Sequence, residues 1–155
     1  MTDPSRLETM VLQYENTLYR AALAVLADPE EARDAVQDAF LALLTKAPDF
    51  QSPDHEKAWL LRVTVNGCKD RLRARTRHPL LPLLDTYPAA SPEEETAAQA
   101  VLALPPKERA AVHLFYYEGY QTAEIAALTG EREGTVRSRL SRARAKLRTL
   151  LKEDL

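Results

Sequence analysis

Hydrophobic residues recur along most of the chain at steps of three and four, the spacing of one buried face on an α-helix. Residues 6–27 place Leu7, Val11, Tyr14, Leu18, Ala22 and Val25 on one such face. Asp28-Pro29-Glu30-Glu31 then reads as a helix start, with Asp28 capping, Pro29 in the first turn and Glu31 completing a capping-box-like arrangement. That second helix carries Ala32, Ala35, Val36, Ala39, Phe40 and Leu43 to about Lys46, before Pro48. A polar loop, Asp49 to His55, leads to a third helix from about Glu56 to Arg77, with Leu61, Val65, Cys68 and Leu72 as its buried stripe. From residue 78 to 92 the periodicity stops: Pro79, Pro82, Pro88 and Pro92 interrupt any helix, and the stretch reads as an inter-domain linker. Leu80, Leu81, Leu83 and Leu84 are apolar for a free tether and suit packing against a partner.

Helical signals resume at Ser91-Pro92-Glu93-Glu94, and that helix ends at Leu104-Pro105-Pro106. The next, from about Lys107 to Tyr117, buries Ala111, Val112, Leu114 and Phe115 and is closed by Gly119. Thr122 to Gly130 reads as a short helix with Thr122 as N-cap and Gly130 in a left-handed C-terminal position. The last helix, Thr135 to Leu151, buries Val136, Leu140, Ala143, Leu147 and Leu150. Its opposite face shows Ser138, Ser141, Arg142 and Ala145, flanked by Arg137, Arg144 and Lys146. A short helix, a glycine-containing turn and a basic second helix form a helix-turn-helix. Arginine can pair there with guanine in the major groove, and small side chains let the helix approach closely. The whole pattern predicts an all-α chain of two small helical domains.

Composition narrows the function. One cysteine among 155 residues rules out a disulfide framework or a cysteine-rich zinc site. No long uncharged apolar run and no signal-peptide pattern appear, so a cytoplasmic location without membrane insertion is expected. The net charge of −2 hides an uneven distribution. Residues 131–152 carry +6 and residues 69–78 carry +4, leaving −12 for the rest. Two basic patches on an acidic chain suggest two contacts with a phosphate backbone. Trp59, Arg62, Val63, Asn66 and Arg73 lie opposite the buried stripe of the third helix, a mixture suited to stacking and hydrogen-bonding unpaired bases. Asp34, Gln37 and Asp38 form a polar cluster at helical spacing on the second. Catalytic signals are missing. His55-Glu56-Lys57-Ala58-Trp59 lacks the second histidine of a zinc protease helix, and four glycines supply no Walker or Rossmann pattern. The reading is therefore not an enzyme, with no cofactor and no metal.

Asp34-Ala-Val-Gln-Asp-Ala-Phe40, then Ala58-Trp-Leu-Leu-Arg-Val-Thr-Val-Asn-Gly-Cys-Lys-Asp-Arg-Leu72, then Leu104-Pro-Pro-Lys-Glu-Arg109 continuing to Gly134-Thr-Val-Arg-Ser-Arg-Leu-Ser-Arg-Ala-Arg144, occur in that order. The succession resembles the extracytoplasmic-function (ECF) group of sigma-70 family RNA polymerase sigma factors, over nearly the whole chain. The resemblance implies sigma region 2 over residues 6–77, a linker over 78–92 and region 4 over 93–151. It implies docking of Asp34, Gln37 and Asp38 on bacterial core RNA polymerase (β′ and β subunits) and recognition of promoter DNA. Trp59, Arg62, Asn66, Lys69, Arg71 and Arg73 would read and open the −10 element. Thr122, Thr135, Arg137, Ser138, Ser141 and Arg142 would read the −35 element. The apolar linker and the absence of any sensor domain motivate a further expected partner, an anti-sigma factor that masks the two regions or holds them apart. Glu131, where the family usually has an apolar residue, and Phe115, where some relatives carry a DNA-contacting arginine, depart from the pattern. The alternative is a free-standing helix-turn-helix regulator that never docks on polymerase, which leaves Trp59, Asn66 and the second basic patch unexplained.

Overall fold

The computed structural model describes residues 4–75, 97 and 99–153, so the proline-rich stretch 78–92 and the helix start at Ser91–Glu94 lie outside the described residues. All regular structure among the described residues is helical. Helix α1 (Pro4–Leu26) buries Tyr14, Leu18, Ala22 and Val25 as the spacing predicts, while Met10 is buried and the expected Leu7 and Val11 are only half-buried. Helix α2 (Pro29–Lys46) starts as the sequence signals: Asp28 Oδ1 accepts from the Glu30 and Glu31 backbone N–H groups at 3.0 and 3.3 Å. The expected capping box is not what Glu31 makes, however. Its carboxylate accepts from Arg75, a residue held at the far end of α3.

Helix α3 (Pro53–Ala74) begins three residues before the expected Glu56 and ends before Arg77. Ser52 caps it, accepting from His55 N at 3.1 Å, and Pro53 takes the first turn. The buried stripe holds Leu61, Val65 and Cys68 and also Leu60, Thr64 and Glu56. Helices α1, α2 and α3 pack pairwise into one bundle.

In the second half, residues 99–102 are helical and lead to helix α4 (Pro106–Val112). A π-helical turn, His113–Tyr117, widens the end of α4 and leaves Tyr116 and Tyr117 mostly exposed. Gly119 follows with φ +79°, closing this helical stretch as the sequence predicts. Helix α5 (Thr122–Thr129) ends at Gly130 in the left-handed conformation, φ +70°, as read from the sequence. Its N-cap is Gln121, not Thr122: the Gln121 N–H donates to Glu124 at 2.8 Å, and Thr122 is already inside the first turn. Helix α6 (Glu133–Glu153) buries Val136, Leu140 and Ala143 against α4 and α5.

The two halves are packed against each other. Helix α4 lies on α1, and α5 lies on α3. Leu18, Leu43, Leu60 and Leu61 belong to the same apolar cluster as Leu104, Leu114, Ile125, Leu128 and Leu140. Burial of that continuous surface supplies the main attraction between the halves, at about 25 cal/mol per Å² of apolar area. In this state each half covers the other directly.

The end of α1 shows how the packing is specified. Its last carbonyls have no intrahelical donors, its own last turn holds no basic residue, and Ala27 follows with φ +53°. Two arginines from elsewhere fill the gap. Arg75 donates to Leu26 O at 2.9 Å. Arg109, only 2% exposed, donates to Ala24 O and Val25 O at 2.8 and 2.9 Å and to Leu104 O and Leu102 O at 2.9 and 3.3 Å. A cation at a helix C-terminus is favourable on electrostatic grounds as well. Burial pushes the Arg109 pKa down to about 10, with nearby Arg75 adding to the effect, so the side chain stays charged at neutral pH.

Candidate nucleic-acid and polymerase interfaces

Three polar faces emerge from this packing. On α2, the 3.6-residue period that buries Ala35, Val36 and Ala39 turns Asp34, Gln37 and Asp38 outward. Gln37 borders an open groove of about 460 Å³ between α1 and α2, lined also by Val11, Tyr19, Arg33, Val36 and Phe40. Asp38 stands apart from that groove, and Arg71 Nη2 donates to it at 2.7 Å. Leu12 and Leu41, the large apolar residues most exposed on α1 and α2, lie in these same two helices.

On α3, Trp59, Arg62 and Asn66 line a second groove of about 660 Å³, together with Asp38, Lys46, Gly67, Ala127 and Gly130. The last two belong to the helix-turn-helix, which forms one wall. Trp59 is half-buried, with its ring edge-on to Phe50 at 5.7 Å. Arg62 and Asn66 are exposed. The three cations expected to hold a nucleic-acid backbone are each met by an acidic side chain. Arg73 pairs with Asp70 and Arg71 with Asp38. Lys69 donates to Thr129 O and lies 3.9 Å from Glu131. Burial pulls the Lys69 ammonium below its ordinary range despite the opposing effect of Glu131.

On α6, Arg137, Ser138, Ser141 and Arg142 share one outward face, as the spacing predicts. Thr135 is half-buried in the first turn of that helix. Thr122 is tied to the same face through Glu133: its hydroxyl donates to Glu133 Oε1 at 2.9 Å, and Arg137 pairs with the same oxygen at 3.0 Å. Glu108, almost fully buried, accepts from Lys146 at 2.8 Å and stands 3.6 Å from Arg142, anchoring one edge of the face.

Several participants carry no signal in the sequence. Glu131, read there only as a departure in the turn, pairs with Arg139 at 2.5 Å as well as approaching Lys69. Phe115 and Tyr116 carry the Arg144 guanidinium over their rings at 5.5 and 5.7 Å, and Arg144 Nε donates to the Tyr116 hydroxyl at 2.6 Å. Lys57 of α3 pairs at 3.1 Å with Glu118 beyond the π-helical turn, and His113 Nε2 lies 3.3 Å from the same carboxylate. Burial works to raise the Glu118 carboxyl, yet the His113 and Lys57 contacts outweigh it and hold it below its usual range. No grouping of His, Cys, Asp and Glu able to hold a metal occurs among the described residues, and no helix there is long and apolar enough to cross a membrane.

An all-α protein of two packed units, with an aromatic and basic groove on one and a helix-turn-helix on the other, is a nucleic-acid-binding transcription protein by class. The sequence matches the family described as Sigma-70 region 2 over residues 10–78 and that described as Sigma-70, region 4 over residues 95–147. The ECF RNA polymerase sigma factor SigM of Mycobacterium tuberculosis is 41% identical over 144 residues, spanning 90% of this chain and 74% of the relative. The RNA polymerase sigma-E factor of Streptomyces coelicolor is 32% identical over 155 residues, spanning 96% and 88%. Among solved structures, the sigma factor RpoE of Bartonella quintana, crystallised with the anti-sigma factor NepR, superposes with a TM-score of 0.74 at 26% identity, covering 96% of this chain and 98% of that one. The chain belongs to the ECF group of sigma-70 family RNA polymerase sigma factors and directs promoter-specific transcription initiation.

Proposed function

We propose that the chain acts in the cytoplasm as a non-enzymatic promoter-specificity subunit of bacterial RNA polymerase. Its region 2 would span residues 6–77 and its region 4 residues 93–151. Asp34, Gln37 and Asp38, exposed on α2 with Gln37 at the α1/α2 groove, bind core polymerase through the β′ subunit. Trp59, Arg62 and Asn66 capture unstacked bases of the −10 element, while Lys69, Arg71 and Arg73 hold its backbone. Arg137, Ser138, Ser141 and Arg142 enter the major groove of the −35 element, and Thr122 and Thr135 meet flanking phosphates. Strand opening is driven by binding energy, with no nucleotide hydrolysed by this subunit.

The observation that carries the reading is the order of exposed faces. The polar face of α2 adjoins the Trp59/Arg62/Asn66 groove through Asp38, and the arginine-serine face of α6 lies apart from both, within the two matched regions. An anti-sigma factor is also proposed, because two solved relatives are complexes with other proteins, one with the anti-sigma factor NepR and the other with the cytosolic domain of CnrY.

The test is co-purification of the chain with core polymerase, comparing the native sequence with Asp34→Ala/Gln37→Ala/Asp38→Ala. Loss of the complex in the triple variant, with its helical content unchanged, supports the assignment. An undiminished complex places polymerase docking elsewhere.

A further inference from the structure

Helix α6 carries its cations in two different settings. Arg137, Arg139, Arg142 and Lys146 each face a carboxylate, those of Glu133, Glu131 and Glu108. Arg144 is exposed and faces none among the described residues. An aromatic corner holds it instead. Its guanidinium lies over the Phe115 ring at 5.5 Å and the Tyr116 ring at 5.7 Å, and those rings meet edge to face, 71° apart with centroids separated by 5.0 Å. Arg144 Nε donates to the Tyr116 hydroxyl at 2.6 Å. The corner is built by the π-helical turn His113–Tyr117, an uncommon winding that recurs at functional sites.

That arrangement decides which donors stay free. Nε is engaged by Tyr116, while Nη1 and Nη2 keep their hydrogens with no partner among the described residues. A guanidinium fork of this kind binds two phosphate oxygens at once. The exposed Tyr116 hydroxyl accepts from Arg144, so its own hydrogen remains to be donated. Stacking also orders a long side chain before anything binds, which removes part of the entropy cost of binding.

Position favours a backbone contact over a base contact. The outward face of α6 is centred on Ser138, Ser141 and Ala145, with Arg144 on one edge and Arg142 on the other. Arg144 follows Arg137 by seven residues, which places it within about 20° of Arg137 and about 10 Å further along the helix. The first turns of a recognition helix reach base edges, and an edge residue two turns on meets the sugar-phosphate wall of the groove.

We propose that Arg144 and Tyr116 form a preformed phosphate clamp at the rim of the duplex that α6 enters, a contact blind to base sequence. This rests on the reading of α6 as the −35 face.

The test is binding of the full chain to two labelled duplexes of equal length, titrated across salt concentrations. One is enriched from a random-sequence pool by the native chain, and the other is of mixed sequence. Arg144→Gln should weaken binding to both by the same factor, about eightfold at roughly 0.1 M salt, and reduce the slope of log K against log salt by about 0.9, the signature of one lost phosphate contact. Arg144→Lys keeps the charge and should keep the slope while losing part of the affinity. Tyr116→Phe keeps both rings and the cation, and should weaken binding to both duplexes by about fivefold with the slope unchanged. Arg142→Ala should instead erode the preference for the enriched duplex. An Arg144→Gln chain of native helical content, with native affinity and slope, overturns the clamp. A loss confined to the enriched duplex makes Arg144 a base reader and overturns it too. Binding of neither duplex by the native chain removes the α6 reading and the clamp with it, whereas an unchanged preference in Arg142→Ala faults that base assignment alone.

Discussion

Replacing Arg109 by methionine keeps a long apolar stem and deletes the guanidinium. The native group donates four hydrogen bonds, two of them to the end of α1 and two to the segment just before α4. Hydrogen bonds from a charged donor contribute about 1.5–3 kcal/mol each, but desolvation of the buried cation offsets much of that sum. The substitution relieves the desolvation cost and leaves the carbonyls of Ala24, Val25 and Leu104 without this donor, each worth about 1–3 kcal/mol if water cannot replace it. A net loss of about 3 kcal/mol follows. For a chain of this size that lowers Tm by about 6–12 °C. Urea unfolding followed by far-UV circular dichroism and by Trp59 fluorescence checks it. The two probes should coincide for the native chain, because both halves share one apolar cluster. They should separate for Arg109→Met, since the native guanidinium ties the two halves together. Arg109→Lys should recover less than half of the loss, because one ammonium cannot reach carbonyls on both sides. Coincident transitions with a loss below about 0.5 kcal/mol, the range of a neutral surface change, would refute the capping role.

Other perturbations have distinct signatures. Arg142→Ala should weaken recognition of −35 duplex DNA by about 1–3 kcal/mol while leaving polymerase co-purification intact; equal loss of both would contradict its place on the α6 face. Gly130→Ala puts a Cβ on a residue with φ +70° and open space around it, so the cost should be conformational only, about 1 kcal/mol in thermal unfolding. Alkaline pH should destabilise the fold. Burial pushes the Cys68 thiol from 9.0 up to about 12, and burial together with a hydrogen bond to Glu56 pushes Tyr14 from 10.0 up to about 12. The unfolded chain therefore releases these protons first, so stability present below pH about 9 declines as pH rises toward about 12, by up to about 1.4 kcal/mol per unit for each group. Urea midpoints that stay level between those limits would contradict the burial of both groups. The same protonated thiol should resist maleimide labelling until the chain unfolds.

Local chemistry in the sequence is enough for the helices and their caps where the partners are near in the chain. Asp28, Pro29 and Gly130 act within a few residues, and the expected geometry is there. Misplaced details have the same origin in reverse: Glu31 has the right spacing for a capping box, but Arg75 is a stronger partner that only the packing of α2 on α3 delivers. Ser52 starts α3 earlier than the hydrophobic stripe does, since its first turn is polar. Glu56 looks like a surface residue until Tyr14 and Arg6 of α1 are brought to its two oxygens at 2.8 and 2.6 Å. The arginine-serine face of α6 is legible because it depends only on helical periodicity. Arg109 and Glu131 are not, because their roles arise where two halves of the chain meet, and no spacing within either half encodes that meeting.

In-vitro transcription with bacterial core RNA polymerase, over a pool of promoter fragments and with or without the chain, addresses the assigned activity most directly. Initiation at defined sites should appear only when the chain is added and should vanish with the Asp34→Ala/Gln37→Ala/Asp38→Ala variant. Duplex DNA binding by the chain with no chain-dependent initiation at any fragment would contradict the account and favour a regulator that acts without docking on polymerase.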